Sequence, residues 1–216
     1  MNDSKSARIT PPRVATLLTC CAASIAVGAA ELKDVQVKVE DGRYYVDAEM
    51  SVDAPLRPTF EALVEYDRFD ENSDVYVETH YLDPADDGTP RIFTRVEGCV
   101  FDFCRGVERT ARLEAVPLKR VTATVESEPD GNLRYGREVW ELHPMDSGGT
   151  FITYHHELEL GFWMPPFIGP WAVRQALSWG ASDVVKTLEN IALQETFTPL
   201  DQSPCCQTKT PVEPVR

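Results

Sequence analysis

Tyr154 and His156 stand two residues apart in the run Ile152-Thr153-Tyr154-His155-His156-Glu157-Leu158. Alternate residues of a strand share a face, so the phenol and the imidazole point the same way as Ile152 and Leu158. With that side turned inward, they supply the few hydrogen bonds with which a mostly apolar pocket orients a ligand. Arg95, Glu97 and Glu138 are further polar residues on strand-like segments that can face the same interior, and Trp140 follows Glu138 in phase. The alternative is an ordinary core in which the tyrosine and histidine are simply satisfied. A third reading gives His156, Tyr154 or Glu138 a proton to move, as in a cyclase or dehydratase whose pocket folds a reactive chain. No residue is assigned a catalytic role on these grounds.

Cys99 and Cys104 flank Val100-Phe101-Asp102-Phe103, a spacing at which facing hairpin positions bring two Cα atoms into disulfide range. A bridge over so short a loop adds on the order of 2 kcal/mol and fixes the hairpin tip. Two buried free thiols are the alternative. A redox-active pair fits less well, because the spacing is not C-x-x-C and Arg105 is the one basic neighbour. The tip residues Val100, Phe101 and Phe103 are apolar where turns are usually polar. They read as a lip over a cavity, as a membrane or partner contact, or as residues folded back on the core. Phe162, Trp163 and Phe167, in the segment before the last helix, form a second lip or pack in the core. Cys205 and Cys206 are adjacent and bridge each other only with strain, so intermolecular pairing or free thiols are expected there.

Other chemistry finds no support. His80, His143, His155 and His156 are scattered, and adjacent strand residues such as His155 and His156 point to opposite faces and do not chelate one ion as a pair. The sequence has no H-E-x-x-H, no Gly-rich phosphate or dinucleotide loop and no G-x-S-x-G elbow, so neither metal nor cofactor is expected. A net charge of −14 without a Lys/Arg run repels phosphate backbones and excludes nucleic acid as a natural partner.

These side chains need a scaffold. In 216 residues, 43% hydrophobic and 26% charged, there is enough apolar content for one domain with a sizeable core. Lys5, Arg8 and Arg13 precede an apolar run from Val14 to Ala26 that ends in Val27-Gly28-Ala29-Ala30, the pattern of a secretory signal peptide over residues 1–30. An uncleaved anchor helix, or acylation at Cys20, are the alternatives. Cleavage would remove three basic residues and one acidic one, moving the net charge from −14 to −16. It would also place Cys99, Cys104, Cys205 and Cys206 in an oxidising compartment, expected to be a bacterial periplasm.

Residues 33–53 alternate around Asp41-Gly42, a two-residue hairpin signal, and predict two strands. Phe60, Leu63, Val64 and Phe69 recur at helical spacing after Pro55 and Pro58, predicting one helix of three to four turns. From Val75 to Leu160 the period is two, with turn chemistry at near-regular intervals, which predicts six antiparallel strands. Val173, Leu177, Ala181, Val184, Leu188 and Ile191 mark one stripe of a helix running from Trp171 to about Phe197. Gly180, beside that stripe, predicts a close backbone approach or a bend. The domain is thus expected over residues 31–197, with a disordered Pro-rich tail over 198–216. A sheet that wraps a long helix leaves an incompletely filled cavity, and Leu177 and Val184 are its expected helical lining.

Asp53-Ala54-Pro55 leading into Phe60-Glu61-Ala62-Leu63-Val64-Glu65-Tyr66-Asp67, then Trp140-Glu141-Leu142-His143-Pro144 and Gly149-Thr150-Phe151-Ile152-Thr153-Tyr154, resembles the polyketide cyclase/dehydrase and lipid transport family. That family lies within the START-like (SRPBCC) superfamily and includes the coenzyme Q-binding proteins. Pro165, Pro166, Pro170 and Leu188-Glu189-Asn190-Ile191-Ala192 extend the likeness, which spans roughly residues 44–194. The resemblance implies an α+β helix-grip fold, a curved antiparallel sheet of six to seven strands around a long C-terminal helix. It implies a hydrophobic small-molecule partner, such as a lipid, quinone, sterol or polyketide, and brings no shared catalytic motif. The expected function is an exported carrier of one such molecule, with transient contact to a membrane or an envelope protein. The competing readings are a cyclase-type enzyme and an envelope interaction module whose cavity is filled by its own side chains.

Overall fold

The computed structural model describes residues 30–100, 103–127, 131–163, 169–194, 200 and 202–206; the side chains of 99, 100, 103, 104, 169 and 170 are not among what it describes. Eight strands form one open antiparallel sheet: β1 (Glu31–Glu40), β2 (Arg43–Val52), β3 (Tyr76–Leu82), β4 (Arg91–Val100), β5 (Phe103–Val116), β6 (Arg120–Val125), β7 (Leu133–Pro144) and β8 (Thr150–Leu160). Their spatial order is β1-β2-β8-β7-β6-β5-β4-β3. The count is eight rather than six to seven because both N-terminal strands join the same sheet, β2 pairing with β8 along its whole length. Helix α1 (Leu56–Leu63) and helix α2 (Gly169–Ala192) complete the α+β architecture, and α2 packs against α1, β1, β2 and β4.

The first hairpin turns at Asp41 and Gly42, whose φ values of 51° and 81° are both left-handed. This is the geometry that the Asp-Gly pair favours and that matches the strand twist. Gly42→Ala is expected to cost about 1–2 kcal/mol through the left-handed penalty alone, since a Cβ there meets no atom within 4 Å. A denaturant midpoint unchanged from the wild type would rule this turn out as a source of stability.

Helix α1 is shorter than its apolar spacing predicts. It stops at Leu63, and a separate 3-10 turn follows at Tyr66–Arg68. Strand β3 takes the freed carbonyls, with the Tyr81 hydroxyl donating to Val64 O at 2.7 Å and Thr79 Oγ1 donating to Tyr66 O. Tertiary hydrogen bonds replace the helical ones. At the other end of the chain, α2 ends at Ala192 rather than near Phe197. Its C-terminal half and the residues just beyond it are tied to the segment before β3, where Arg68 donates to Gln194, Thr187 Oγ1 donates to Asn72 O and Asp183 accepts from Ser73 and the Asp74 amide.

That stitching holds the C-terminal half of α2. Val184, Val185, Leu188 and Ile191 are buried in the main core with Phe60, Leu63, Met50, Leu113 and Ile152. Val173 and Leu177, nearer its N-terminus, pack only partly against a second cluster of Tyr44, Val46, Leu133 and Leu158. Gly180 lies between these two levels, and a Cβ there meets nothing within 4 Å, so it marks neither a close approach nor a crowded contact. The expected signal peptide falls outside the described residues except Ala30.

The expectation of an unpacked tail is corrected at residues 200 and 202–206. Leu200 and Cys206 pack on the main core, and Cys205, in a 3-10 turn at Pro204–Cys206, is only 9% exposed. Leu200 and the two cysteines supply enough apolar surface for this short segment to dock.

Candidate functional site

The alternation of the strands divides the interior into two apolar clusters with a polar layer between them. On β7, Leu142 and Trp140 belong to the main core and Leu133 to the second cluster, with Glu138 between; on β8, Ile152 and Leu158 flank His156 in the same way. Glu138 and His156 are register partners, and Arg109 of β5 reaches the same level. Glu138 is 4% exposed and His156 7%.

Arg109 forms an ion pair with Glu138 and donates from Nε to Thr94 Oγ1 at 2.8 Å. Trp140 and Tyr154 share this layer, with their rings 4.2 Å apart. Burial pushes the Glu138 carboxyl up, but the Arg109 guanidinium, with help from His156, outweighs burial and brings it to about 2. The carboxylate is therefore ionised at neutral pH. His156 Nε2 lies 3.6 Å from Glu138, beyond hydrogen-bond reach, and both ring nitrogens are buried without a partner. Burial, with Arg109 nearby, pushes its pKa down to about 4 against the pull of Glu138, so the ring is neutral. A neutral imidazole offers one donor and one acceptor, and both face the interior unspent. Burial also raises Tyr154 well above the usual phenol range, so it remains protonated.

Of the residues expected to line a cavity, the structure brings together Glu138, Trp140, Tyr154 and His156. Leu177 and Val184 lie on α2 at the levels of the second cluster and the main core. Arg95 is not with them. It sits on the outward phase of β4, pairing with Glu78 at 3.4 Å and Glu108 at 4.0 Å, because Ile92 and Thr94 take the inward positions. Its place is taken by Arg109, which the sequence reading missed. The signal was present: Arg109 is in phase with Val107, Ala111, Leu113 and Ala115, a charge on the apolar side of an alternating strand.

Of two hollows on the described residues, neither lies between the sheet and α2. One, of about 90 Å³, lies where β6 ends between β5 and β7 and is lined by Arg109, Phe93, Val125 and Leu133 among others. The other, of about 400 Å³, lies on the outward face, lined by Asp34, Asp47, Glu49, Glu141 and His155. There His155 contacts Asp47 at 2.7 Å and Glu157 at 3.4 Å. Burial lowers its pKa, but these two carboxylates more than compensate and the net shift is upward. Neighbours in sequence, His155 and His156 thus sit on opposite faces with opposite shifts. Among the described residues no group of three or more His, Cys, Asp or Glu is arranged to hold a metal ion.

Of the expected lips, Trp163 is 78% exposed, while Phe162 is half-buried with the Arg105 guanidinium 3.7 Å from its ring centre. Phe101 and Phe167 lie outside the described residues, as do the side chains of Val100 and Phe103. Cys99 and Cys104 are register partners across β4 and β5, their sulfurs likewise outside what is described.

No family model matches the sequence, and no curated protein matches it. Solved structures do match. A START superfamily protein from Mycobacterium smegmatis is 12% identical, covering 70% of this chain and 99% of its own, with a TM-score of 0.56. A STAR-related lipid transfer protein from Xanthomonas axonopodis is 16% identical over 77% of this chain and all of its own, with a TM-score of 0.53. The Zhui aromatase/cyclase from Streptomyces sp. R1128 is 12% identical over 69% and 93% of the two chains, with a TM-score of 0.55. The open antiparallel sheet and its long C-terminal helix are a START-like (SRPBCC) helix-grip fold.

Proposed function

We propose that the protein is an exported carrier that holds one hydrophobic molecule between the sheet and α2. The molecule is a lipid, quinone or sterol-like compound whose single polar end meets the Glu138–His156 layer. The observation that carries this reading is the pair of unpartnered ring nitrogens on a buried, neutral His156, in a polar layer between two apolar clusters. Leaving buried donors and acceptors unmade costs roughly 1–3 kcal/mol each, a cost a ligand hydroxyl or carbonyl removes. The half-packed N-terminal part of α2 supplies the side on which such a molecule would enter. Export rests on the N-terminal pattern of basic residues, apolar run and small residues, and the periplasm is the compartment it suits.

The test is native mass spectrometry of the chain from residue 31, purified without detergent, followed by solvent extraction. A stoichiometric lipid, quinone or sterol adduct is expected. His156→Leu should weaken its retention about tenfold, the size of one lost buried hydrogen bond. A bare mass, with no uptake of lipid, ubiquinone or sterol from vesicles, would sink the carrier reading.

A second reading is an enzyme of the cyclase or dehydratase type. It is favoured by the juxtaposition of an ionised carboxylate, a neutral imidazole and a protonated phenol in one buried layer, a set able to move a proton. It predicts turnover of a polyketide-like substrate that is lost in His156→Ala with the fold intact.

A further inference from the structure

The adjacent cysteines of the C-terminal segment are not loose. Cys205 is buried among the main-core residues and Cys206 packs beside it half-buried, with their Sγ atoms 2.7 Å apart. Ser203 Oγ lies 3.3 Å from the Cys205 sulfur.

We propose that Cys205 and Cys206 are a vicinal dithiol that small disulfides, of the glutathione type, reversibly close into a ring. The less buried partner reacts first: the Cys206 sulfur bonds to one sulfur of the incoming disulfide, whose other half leaves as a thiol carrying the Cys206 proton. Cys205 then attacks the Cys206 sulfur, the S–S bond to the small thiol breaks, and that thiol leaves with the Cys205 proton. The two protein thiols are oxidised and one small disulfide is reduced to two thiols. The hydrogen bond with Cys206, helped by Ser203, holds the Cys205 thiol below its usual range against the effect of burial, which favours the second step. Cys206 is pushed up, first by its hydrogen bond to Cys205 and then by burial and the charge on Cys205, which makes the opening attack the slow step. Adjacent Cα atoms are about 3.8 Å apart, short of the 4.4 Å at which unstrained bridges begin, so the ring is readily reduced again. It is a site of reversible oxidation rather than a permanent staple.

The test uses the full chain equilibrated in glutathione buffers of graded redox ratio, quenched with N-ethylmaleimide and digested with trypsin. Peptide 187–209 carries these two cysteines and no other, and peptide 96–105 carries Cys99 and Cys104, so the pairs are read separately. In oxidising buffer, peptide 187–209 is expected unalkylated and lighter by two hydrogens than its dithiol, exceeding the glutathione adduct about tenfold. It should return to the doubly alkylated form in reducing buffer. Cys205→Ser should stop at a glutathione adduct on Cys206, and Cys206→Ser should leave the buried Cys205 unmodified. Two maleimides at every ratio, a wild-type adduct that never closes, or a link to a second chain would each overturn the proposal.

Discussion

Replacing Arg109 with methionine is expected to cost about 3–5 kcal/mol of folding stability at pH 7, among the largest single effects in this molecule. The guanidinium and its partner Glu138 have side chains only 8% and 5% exposed, so the loss of one leaves the other as an uncompensated interior charge. Trp140 and Tyr154, in the same layer, bring no countercharge. Without Arg109 the burial of Glu138 outweighs what His156 and Trp140 contribute, and its folded pKa moves above the unfolded value. The sign of the pH dependence then reverses. A carboxyl with a raised folded pKa contributes stability below its unfolded pKa and loses it as pH rises, so the penalty should shrink between pH 7 and pH 5. Arg109→Met combined with Glu138→Leu should recover most of the loss, because a well-packed apolar pair avoids desolvating two ions. Urea unfolding of the three proteins at both pH values checks this. A single-variant loss below about 1 kcal/mol would mean that the layer is reached by water and is not the dry polar band described above.

The contrast between Arg109 and Arg95 shows where the sequence was legible. The succession of strands, the Asp41-Gly42 turn, the facing of Cys99 by Cys104 and the common side of Tyr154 and His156 all follow from local rules of period and turn chemistry. Whether a strand residue faces in or out needs its phase, and β4 carries Ile92 and Phe93 side by side, so apolar residues occupy both phases. Pairing settles it, with Ile92 and Thr94 inward and Arg95 outward. In β5 the phase was readable from Val107, Ala111, Leu113 and Ala115. Arg109 was passed over because its justification, Glu138, lies 29 residues away and two strands across the sheet.

The same limit explains α1 and the tail. Apolar spacing through Phe69 is helical, but Tyr81 and Thr79 of β3 claim the carbonyls at which the helix breaks. Leu200 and Cys205 look like sparse apolar residues in a Pro-rich stretch until the core surface they cover is known. Gly180 is the converse case. A glycine beside an apolar stripe suggests a tight contact, yet it falls in the half of α2 where packing is thin.

Acid should destabilise the protein in two steps, and His156→Gln should remove the first. The folded pKa of His156, held near 4 chiefly by burial, lies below its ordinary 6.5. The unfolded chain therefore binds a proton that the folded one refuses, and stability falls as pH drops from about 6.5 to about 4, by roughly 3 kcal/mol. Glu138 acts lower. Its folded pKa of about 2 means that the stability from its ionised form is present above about 4.5 and is lost as pH falls toward 2. His155 has the opposite sign, since its pKa is raised and its contribution is present below 6.5 and lost on going up. It is partly exposed, so solvent screening makes that term small. In the wild type the His156 term dominates between pH 6.5 and 4. A glutamine at 156 keeps a hydrogen-bonding side chain without a titrating one, and should flatten the stability profile in that window while leaving the fall below pH 4.5 in place. Chemical denaturation at half-unit pH intervals would read both windows. A variant whose profile still falls by about 3 kcal/mol between pH 6.5 and 4 would place the responsible proton elsewhere.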